Sequence, residues 1–347
     1  MLNQLTDAAI ALWQANGGPA PETVTAEAFA ASGNNRVILL NAPGFGKVVA
    51  KCYFQEALGS NGRMTAEWQF LRFAAEMGIA NTPQPIACDA QQLIAIYEFV
   101  DGRKLVPAEI GDREVLAAAD FIQRLNAHKE SGIARRLPKA AEACFSITEH
   151  FALLDRRIDR LSRIQPELTI DFKAADFADA LAAQWQTTRY RLAQAAEQMG
   201  LDLVRPLSQW ERVISPSDFG FHNALLRSDA SIAFIDFEYA GWDDIAKLVG
   251  DFFFQPAIPV KPEYYELFLN RLTETSPYAE RTRQRCRLLR PIFGIKWCCI
   301  MLNRFLPDMI ARSRFADPEH DEAERKVLQL AKAQHAFGNL EKAQWLT

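Results

Sequence analysis

The chain of 347 residues is poor in the features that define several common classes. Long apolar runs are missing: nothing approaches the about 18 consecutive apolar residues of a membrane-spanning helix, so no span is expected. A basic excess is missing too. Lys and Arg number 39 against 43 Asp and Glu, a formal charge of −4 that lacks the positive footprint nucleic acid demands, and no nucleic-acid partner is expected. Cysteine is sparse. The six residues Cys52, Cys88, Cys144, Cys286, Cys298 and Cys299 show no C-x-x-C spacing, and the adjacent pair sits in an apolar run where a free thiol packs as a small hydrophobe. Disulfides are therefore not expected and the chain reads as cytoplasmic. The stretch MLNQLTDAAIALWQ has neither a basic n-region nor a long apolar core, so no signal peptide is read. The five histidines have no i, i+4 pairing and no cysteine partners, which argues against zinc. Low-complexity tracts and internal repeats are absent.

What is present is an ordinary globular composition, 49% hydrophobic and 24% charged, in a chain too long for one small core. Two lobes are the natural division. The mild acidic excess suits a pocket for a cationic substrate, and suits most cytoplasmic proteins equally.

The most informative stretch runs from Ile214 to Asp251, ISPSDFGFHNALLRSDASIAFIDFEYAGWDDIAKLVGD. Asp218 is followed by Asn223, then by a short apolar strand, Ala224 to Leu226. The polar turn Arg227 to Ser231 leads into a second strand, Ile232 to Ile235, which ends on Asp236. Two apolar runs around a polar turn make a β-hairpin, and it would hold Asp218, Asn223 and Asp236 at one end. Such oxygen donors suit Mg²⁺, which takes one or two protein ligands and completes its shell with phosphate and water. D-x-x-x-x-N, a hairpin, then D-F is the kinase order of catalytic-loop base, second-metal asparagine and metal-binding aspartate.

The continuation DFEYAGWDDIAKLVGDF resembles the aminoglycoside phosphotransferase and choline kinase superfamily, in which D-F/W-E replaces the protein-kinase D-F-G. The resemblance implies an α+β, bilobal protein-kinase-like fold: an N-terminal antiparallel sheet with one main helix, then a mostly helical C-terminal lobe. It implies ATP and Mg²⁺ as cofactors, Asp218 as catalytic base, and Asn223 and Asp236 as metal ligands. One departure stands out, since the superfamily usually carries His two residues before that aspartate and Pro216 occupies the position here. Asp244 matches an acid that anchors the catalytic loop in similar proteins.

The N-terminal part fits the same frame. Leu5, Ala8, Ala9, Leu12 and Trp13 recur at helical spacing until Gly17-Gly18. Strands are expected over Glu22–Ala30, Arg36–Leu40 and Val48–Tyr53. The first turn, Gly33, Asn34 and Asn35 in SGNNRV, resembles the loop that covers nucleotide phosphates, although a plain hairpin turn reads the same way. PGFGK mimics a Walker loop, but it has no upstream Gly at the required place and no Ser/Thr after Lys47, so a structural turn is expected. Lys51 in VVAKCY resembles the strand lysine that pairs α- and β-phosphates. Glu67, at the start of a helix read over Met64–Met77, would be its ion-pair partner. After strands over Gln84–Cys88 and Leu93–Tyr97, YEFVDGRKL resembles a hinge, with backbone groups of Glu98, Phe99 and Val100 facing the adenine edge, although a strand running into an Asp101-Gly102 turn reads the same way. The lobes are expected as 1–100, binding nucleotide, and 101–347, carrying catalysis and the acceptor.

Beyond Asp112 the pattern is helical. Val115, Ala119, Ile122 and Asn126 line one face of a helix that the resemblance places against the catalytic loop; Phe151, Leu154, Ile158 and Leu161 make a second, and Phe177, Leu181, Trp185, Thr188, Leu192 and Met199 a third stripe read as packing. Arg281, Arg283, Arg285, Arg287 and Arg290 read as a helix face with acid partners, with an anionic-substrate sleeve as the functional alternative. Asp317-Pro318-Glu319 reads as a cap for a last helix running through Leu328 and Leu330. His222 reads as structural within its loop, and Glu238 as solvated or ordering metal-bound water. The function expected is transfer of the γ-phosphate of ATP to a hydroxyl of a small molecule (aminoglycoside, amino alcohol or sugar). The alternative is a pseudokinase or nucleotide-binding regulator of the same fold.

Overall fold

The computed structural model describes residues 2–32, 35–53, 61–307, 309 and 322–342. Gly33, Asn34 and the Asp317-Pro318-Glu319 cap lie outside them. In chain order the strands are β1 (Thr25–Ser32), β2 (Asn35–Ala42), β3 (Gly46–Tyr53), β4 (Pro85–Asp89), β5 (Ile94–Glu98), β6 (Arg103–Lys104), β7 (Val213–Ser215), β8 (Ala224–Leu226), β9 (Ile232–Phe234) and β10 (Gly241–Asp243). The main helices are α1 (Leu2–Ala15), α2 (Asn61–Glu76), α3 (Asp112–Ala127), α4 (Ile147–Leu161), α5 (Thr169–Gln198), α6 (Ile245–Phe254), α7 (Tyr265–Thr273), α8 (Ala279–Leu302) and α9 (Glu322–Lys342). Contacts divide the chain into two compact units, Met1–Ala141 with Ile214–Trp242, and Glu142–Val213 with Asp243–Thr347.

Alternation along the strands builds the first unit. Its antiparallel sheet runs β1-β2-β3-β5-β4. Ile38, Leu40, Val48, Ala50, Cys52, Ile94 and Ile96 point to one face, where Ala9 and Trp13 of α1 complete a buried core. The opposite face is left for other chemistry. The chain enters β1 later than its composition suggests, because Pro21, with its fixed φ, opens a short 3₁₀ turn closed by Val24 N–H on the Pro21 carbonyl. The PGFGK segment is the β2–β3 turn, as expected. Gly44 and Gly46 take φ of 79° and 76° there, a region that a Cβ disfavours. A second small sheet, β6-β8-β9, contains the hairpin: Ala224 pairs with Phe234 and Leu226 with Ile232. Beneath it Phe121 of α3 stacks on Phe234 at 4.5 Å, with Phe219 5.0 Å from Phe234.

The second unit is helical. Trp185 of α5 is fully buried and its indole N–H donates to Asp155 at 2.7 Å, while Phe151 packs edge-on against it. Met199 falls one residue past α5 and is 49% exposed, so it does not join the stripe that Leu181, Trp185 and Leu192 bury. In α9 Leu330 is buried and Leu328 is exposed, because residues two apart lie on different helix faces. Asp244 does not match the expected loop anchor. Its side chain caps α6 through Ala246 N–H (2.9 Å) and accepts from Arg285 Nη2 (2.6 Å), and its Oδ2 lies 3.0 Å from His150 Nε2. This pairing also resolves part of the arginine cluster: Arg287 pairs with Glu266 at 2.8 Å, and Arg283 Nε donates to Thr273 Oγ1 at 2.8 Å.

Asp244 is buried, which alone would raise its pKa; Arg285 and His150 outweigh burial and hold it below the usual aspartate range. The sign follows from that direction. A folded value below the unfolded one of about 3.9 gives stability present above that pH and lost as pH falls through the folded value. Arg285→Met should therefore cost about 3 kcal/mol in urea unfolding at neutral pH, because buried Asp244 keeps only His150 and the Ala246 N–H as partners, with the deficit shrinking below pH ~4. A neutral-pH deficit under about 1 kcal/mol would contradict the pairing.

Candidate active site

Strand register decides which side chains share the free face of the sheet. Lys51 lies opposite Val37 and Ala95, Tyr53 opposite Asn35, and Tyr97 opposite Val49. Directly opposite residues of antiparallel strands point the same way, so Asn35, Lys51, Tyr53 and Tyr97 emerge together. Helix α2 carries Glu67 to that face. Lys51 Nζ donates to Glu67 Oε2 at 2.7 Å and to Asp236 Oδ1 at 2.5 Å, and lies 4.0 Å from Glu238 Oε2. Glu67 Oε2 also accepts from Tyr53 at 2.6 Å, and Oε1 accepts the Phe237 N–H at 3.1 Å. Asn35 Nδ2 donates to Glu238 Oε2 at 2.5 Å.

Lys51 is 6% exposed and Glu67 3%. Burial by itself lowers the amine pKa, but Glu67, Asp236 and Glu238 push it the other way and the net shift is upward. The balance is physically reasonable. Burying an ion costs several kcal/mol, and one carboxylate at about 4 Å returns about 4 kcal/mol at an effective dielectric of ~20, so several are needed to hold the charge firmly. Glu67 is raised, burial being the larger cause and Lys51 opposing it.

Two non-glycine residues of the adjoining loops sit in the left-handed region, Ser217 and Asp236, both with φ of 68°. Such a conformation costs about 1–3 kcal/mol and persists only where the surroundings enforce it. They do. Asn126 brackets Ile214, donating to its carbonyl at 3.0 Å and accepting its N–H at 2.8 Å. Ser217 N–H donates to Ser215 Oγ at 2.9 Å, and Asp218 N–H to the Pro216 carbonyl at 3.0 Å. Phe237, next to Asp236, is held by Glu67 through its N–H and stacks on Phe70 at 4.5 Å. Asn126 and the Ser215 hydroxyl thus brace a loop that lacks the upstream histidine.

Asp218 and Asn223 meet at the mouth of this loop. Asn223 Nδ2 donates to the Asp218 carbonyl at 3.0 Å and lies 3.4 Å from its Oδ2. His222 Nε2 lies 3.2 Å from Asp218 Oδ1, and Lys104 Nζ donates to the His222 carbonyl at 2.6 Å. The Asp218 and Asp236 side chains keep 35% and 31% exposure, an open side facing outward from buried supports. The donor set fits magnesium. Asn223 spends its N–H group on Asp218, which turns its carbonyl oxygen away, and Asp236 meets Lys51 with Oδ1 and retains Oδ2. Among the described residues there is no group of three or more His, Cys, Asp or Glu suited to a metal, so a site here would use few protein ligands, as Mg²⁺ does.

In the expected hinge, Glu98 N–H donates to the Gln84 carbonyl at 2.9 Å, Val100 is buried, and Lys47 Nζ lies 5.3 Å over the Phe99 ring. Tyr53, Tyr97 and the Asp218 contact of His222 escaped sequence reasoning. Tyr53 had a signal: it follows Lys51 by two residues and so shares its face. Glu238 is buried rather than solvated, because Asn35 and Lys51 reach it.

The chain matches the phosphotransferase enzyme family over residues 25–257 and belongs to it. Several solved structures share the fold. Choline kinase from Cryptosporidium parvum Iowa II gives a TM-score of 0.59 at 14% identity, with 98% of each chain covered. A spectinomycin phosphotransferase in complex with ADP and spectinomycin gives 0.57 at 14% identity, covering 90% of this chain and 92% of that one. An amicoumacin kinase in complex with AMP-PNP, Ca²⁺ and Ami gives 0.56 at 16% identity, covering 96% and 92%. Comparison with curated proteins gives no match. The fold is therefore the α+β, protein-kinase-like one expected from the sequence.

Glu67 is the hub of this network, so Glu67→Ala should destabilise the protein by about 3 kcal/mol in urea unfolding, by stripping a partner from the buried Lys51, Tyr53 and Phe237 N–H together. A loss below about 0.5 kcal/mol would show that these contacts do not form.

Proposed function

We propose that the protein transfers the γ-phosphoryl group of Mg·ATP to a hydroxyl of a small molecule, an aminoglycoside, an amino alcohol or a sugar. The single observation that carries this reading is Lys51 bridging Glu67 and Asp236, in a chain whose neighbouring loop pairs Asp218 with Asn223. Phosphoryl transfer has a loose transition state, so positioning and charge neutralisation supply most of the catalysis. In this reading 1–100 is the nucleotide-binding lobe and 101–347 the catalytic and acceptor lobe.

Lys51 holds the α- and β-phosphate oxygens, its rotamer fixed by Glu67. By the resemblance of SGNNRV, Gly33, Asn34 and Asn35 contribute to phosphate binding. With the Glu98 N–H already donated to Gln84, the Glu98 carbonyl and the backbone of Phe99 and Val100 are left for the adenine edge. Asn223 and Asp236 hold magnesium, which when bound neutralises the phosphate oxygens. Asp218 orients the acceptor hydroxyl and takes its proton late in the transfer. The acceptor classes are supported by relatives of the fold named for choline, spectinomycin and amicoumacin. No helix among the described residues is long and apolar enough to cross a membrane. Pro216, in place of the usual histidine, favours a second reading in which the chain binds Mg·ATP as a regulator without transferring phosphate.

A panel of amino alcohols, aminoglycosides and sugars, scored by acceptor-dependent ADP release, separates the two. Turnover with a member of the panel is expected; ATP binding with silence throughout selects the regulator. With an active acceptor, Asp218→Ala should lower kcat by about 10²–10⁴ and leave nucleotide affinity little changed. Wild-type turnover in that variant would remove Asp218 from the mechanism.

A further inference from the structure

We infer that Tyr53 and Tyr97 are positioning residues: their hydroxyl pair fixes Glu67, and through it Lys51 and Asp236, for phosphoryl transfer. This role rests on the phosphotransferase reading above and deepens it.

The Glu67 carboxylate serves three donors from three segments. Oε2 accepts from Lys51 at 2.7 Å and from Tyr53 at 2.6 Å, while Oε1 accepts the Phe237 N–H at 3.1 Å. A glutamate tied to one flexible lysine can slide with it. Tyr53 removes that freedom, since its rigid ring grows from the same strand as Lys51, two residues on and on the same face. The distance between amine and carboxylate is thereby tied to β3 itself.

Tyr97 completes the chain. Its hydroxyl lies 2.9 Å from that of Tyr53. A phenol has one proton, and Tyr53 spends its proton on the carboxylate, so Tyr97 must be the donor to Tyr53. The bonds run in one direction, Tyr97 to Tyr53 to Glu67, which lets each polarise the next. Ala95, the small residue opposite Lys51, lies between the two tyrosine positions on this face and leaves room for the hydroxyls to meet. Tyr53, Tyr97 and Glu67 are 6%, 4% and 3% exposed. Phenylalanine would fill the same space without burying two hydroxyls, a cost that packing alone does not explain. The Phe237 N–H extends the effect to Asp236, the left-handed residue immediately before it.

Three variants test the role, each read as ADP release from Mg·ATP, both with the acceptor the panel selects and by slow transfer to water. Tyr53→Phe strands the Tyr97 hydroxyl and leaves Glu67 Oε2 with Lys51; kcat should fall about five- to thirtyfold, with acceptor KM within about twofold. Tyr97→Phe, one step further out, should fall less. In Tyr53→Phe/Tyr97→Phe no hydroxyl is stranded, so thermal stability should recover toward wild type while kcat stays as low as in Tyr53→Phe. A merely structural pair would show turnover recovering with stability. Recovered kcat in the double variant, or wild-type kcat in Tyr53→Phe, would overturn the role and leave the phosphotransferase reading standing. A wild-type protein that releases no ADP would overturn both.

Discussion

One buried ammonium organises the first unit. Lys51 has Glu67 and Asp236 in direct contact and Glu238 at 4.0 Å, and these three acids come from α2 and from the loop after β9. An amine this deep in protein would lose its charge if left alone, because desolvation outweighs one distant partner. Three carboxylates reverse that outcome, and Lys51 stays charged. Strand, helix and loop are thus committed to a common point by electrostatics. The strained Asp236 is held beside it by the Phe237 amide and by aromatic stacking on Phe70.

The second unit applies the same physics to packing. Asp243 at the end of β10, Lys247 and Asp251 of α6 and Lys296 of α8 alternate in sign at 2.8, 3.5 and 2.5 Å, all nearly inaccessible to water. Trp297 adds an N–H to Asp251 at 2.9 Å. Replacing such a chain by apolar residues can be neutral in stability, whereas removing one member strands a charge. The chain therefore specifies how α6 and α8 meet more than it adds to their affinity.

Much of this could be read in the sequence, and the reasons are local. The hairpin after Asn223 was visible because two apolar runs flank the polar Arg227–Ser231 turn. The Lys51 strand and the Glu67 helix declared themselves by period, and the structure brings those two side chains to 2.7 Å. Partner choice was not visible. Periodicity says which face a residue occupies, but not which of several acids across space will meet a given cation. Asp244 was read by resemblance as a loop anchor, and it is claimed by Arg285 and His150 instead. Nothing in the sequence marks Tyr53 and Tyr97 beyond their place in strands, since the value of a hydroxyl depends on a carboxylate delivered from α2. Met199 failed for a smaller reason: α5 ends at Gln198, one residue before it.

The central claim is that Asn223 and Asp236 converge on one metal–nucleotide complex beside Lys51. A crystal of the protein grown with Mn²⁺ and AMP-PNP tests it most directly, through the anomalous signal of manganese. The account predicts a peak bonded to the Asn223 and Asp236 side-chain oxygens, with Lys51 against the α- and β-phosphates. A manganese peak bound elsewhere, or nucleotide phosphates remote from Lys51, would contradict it.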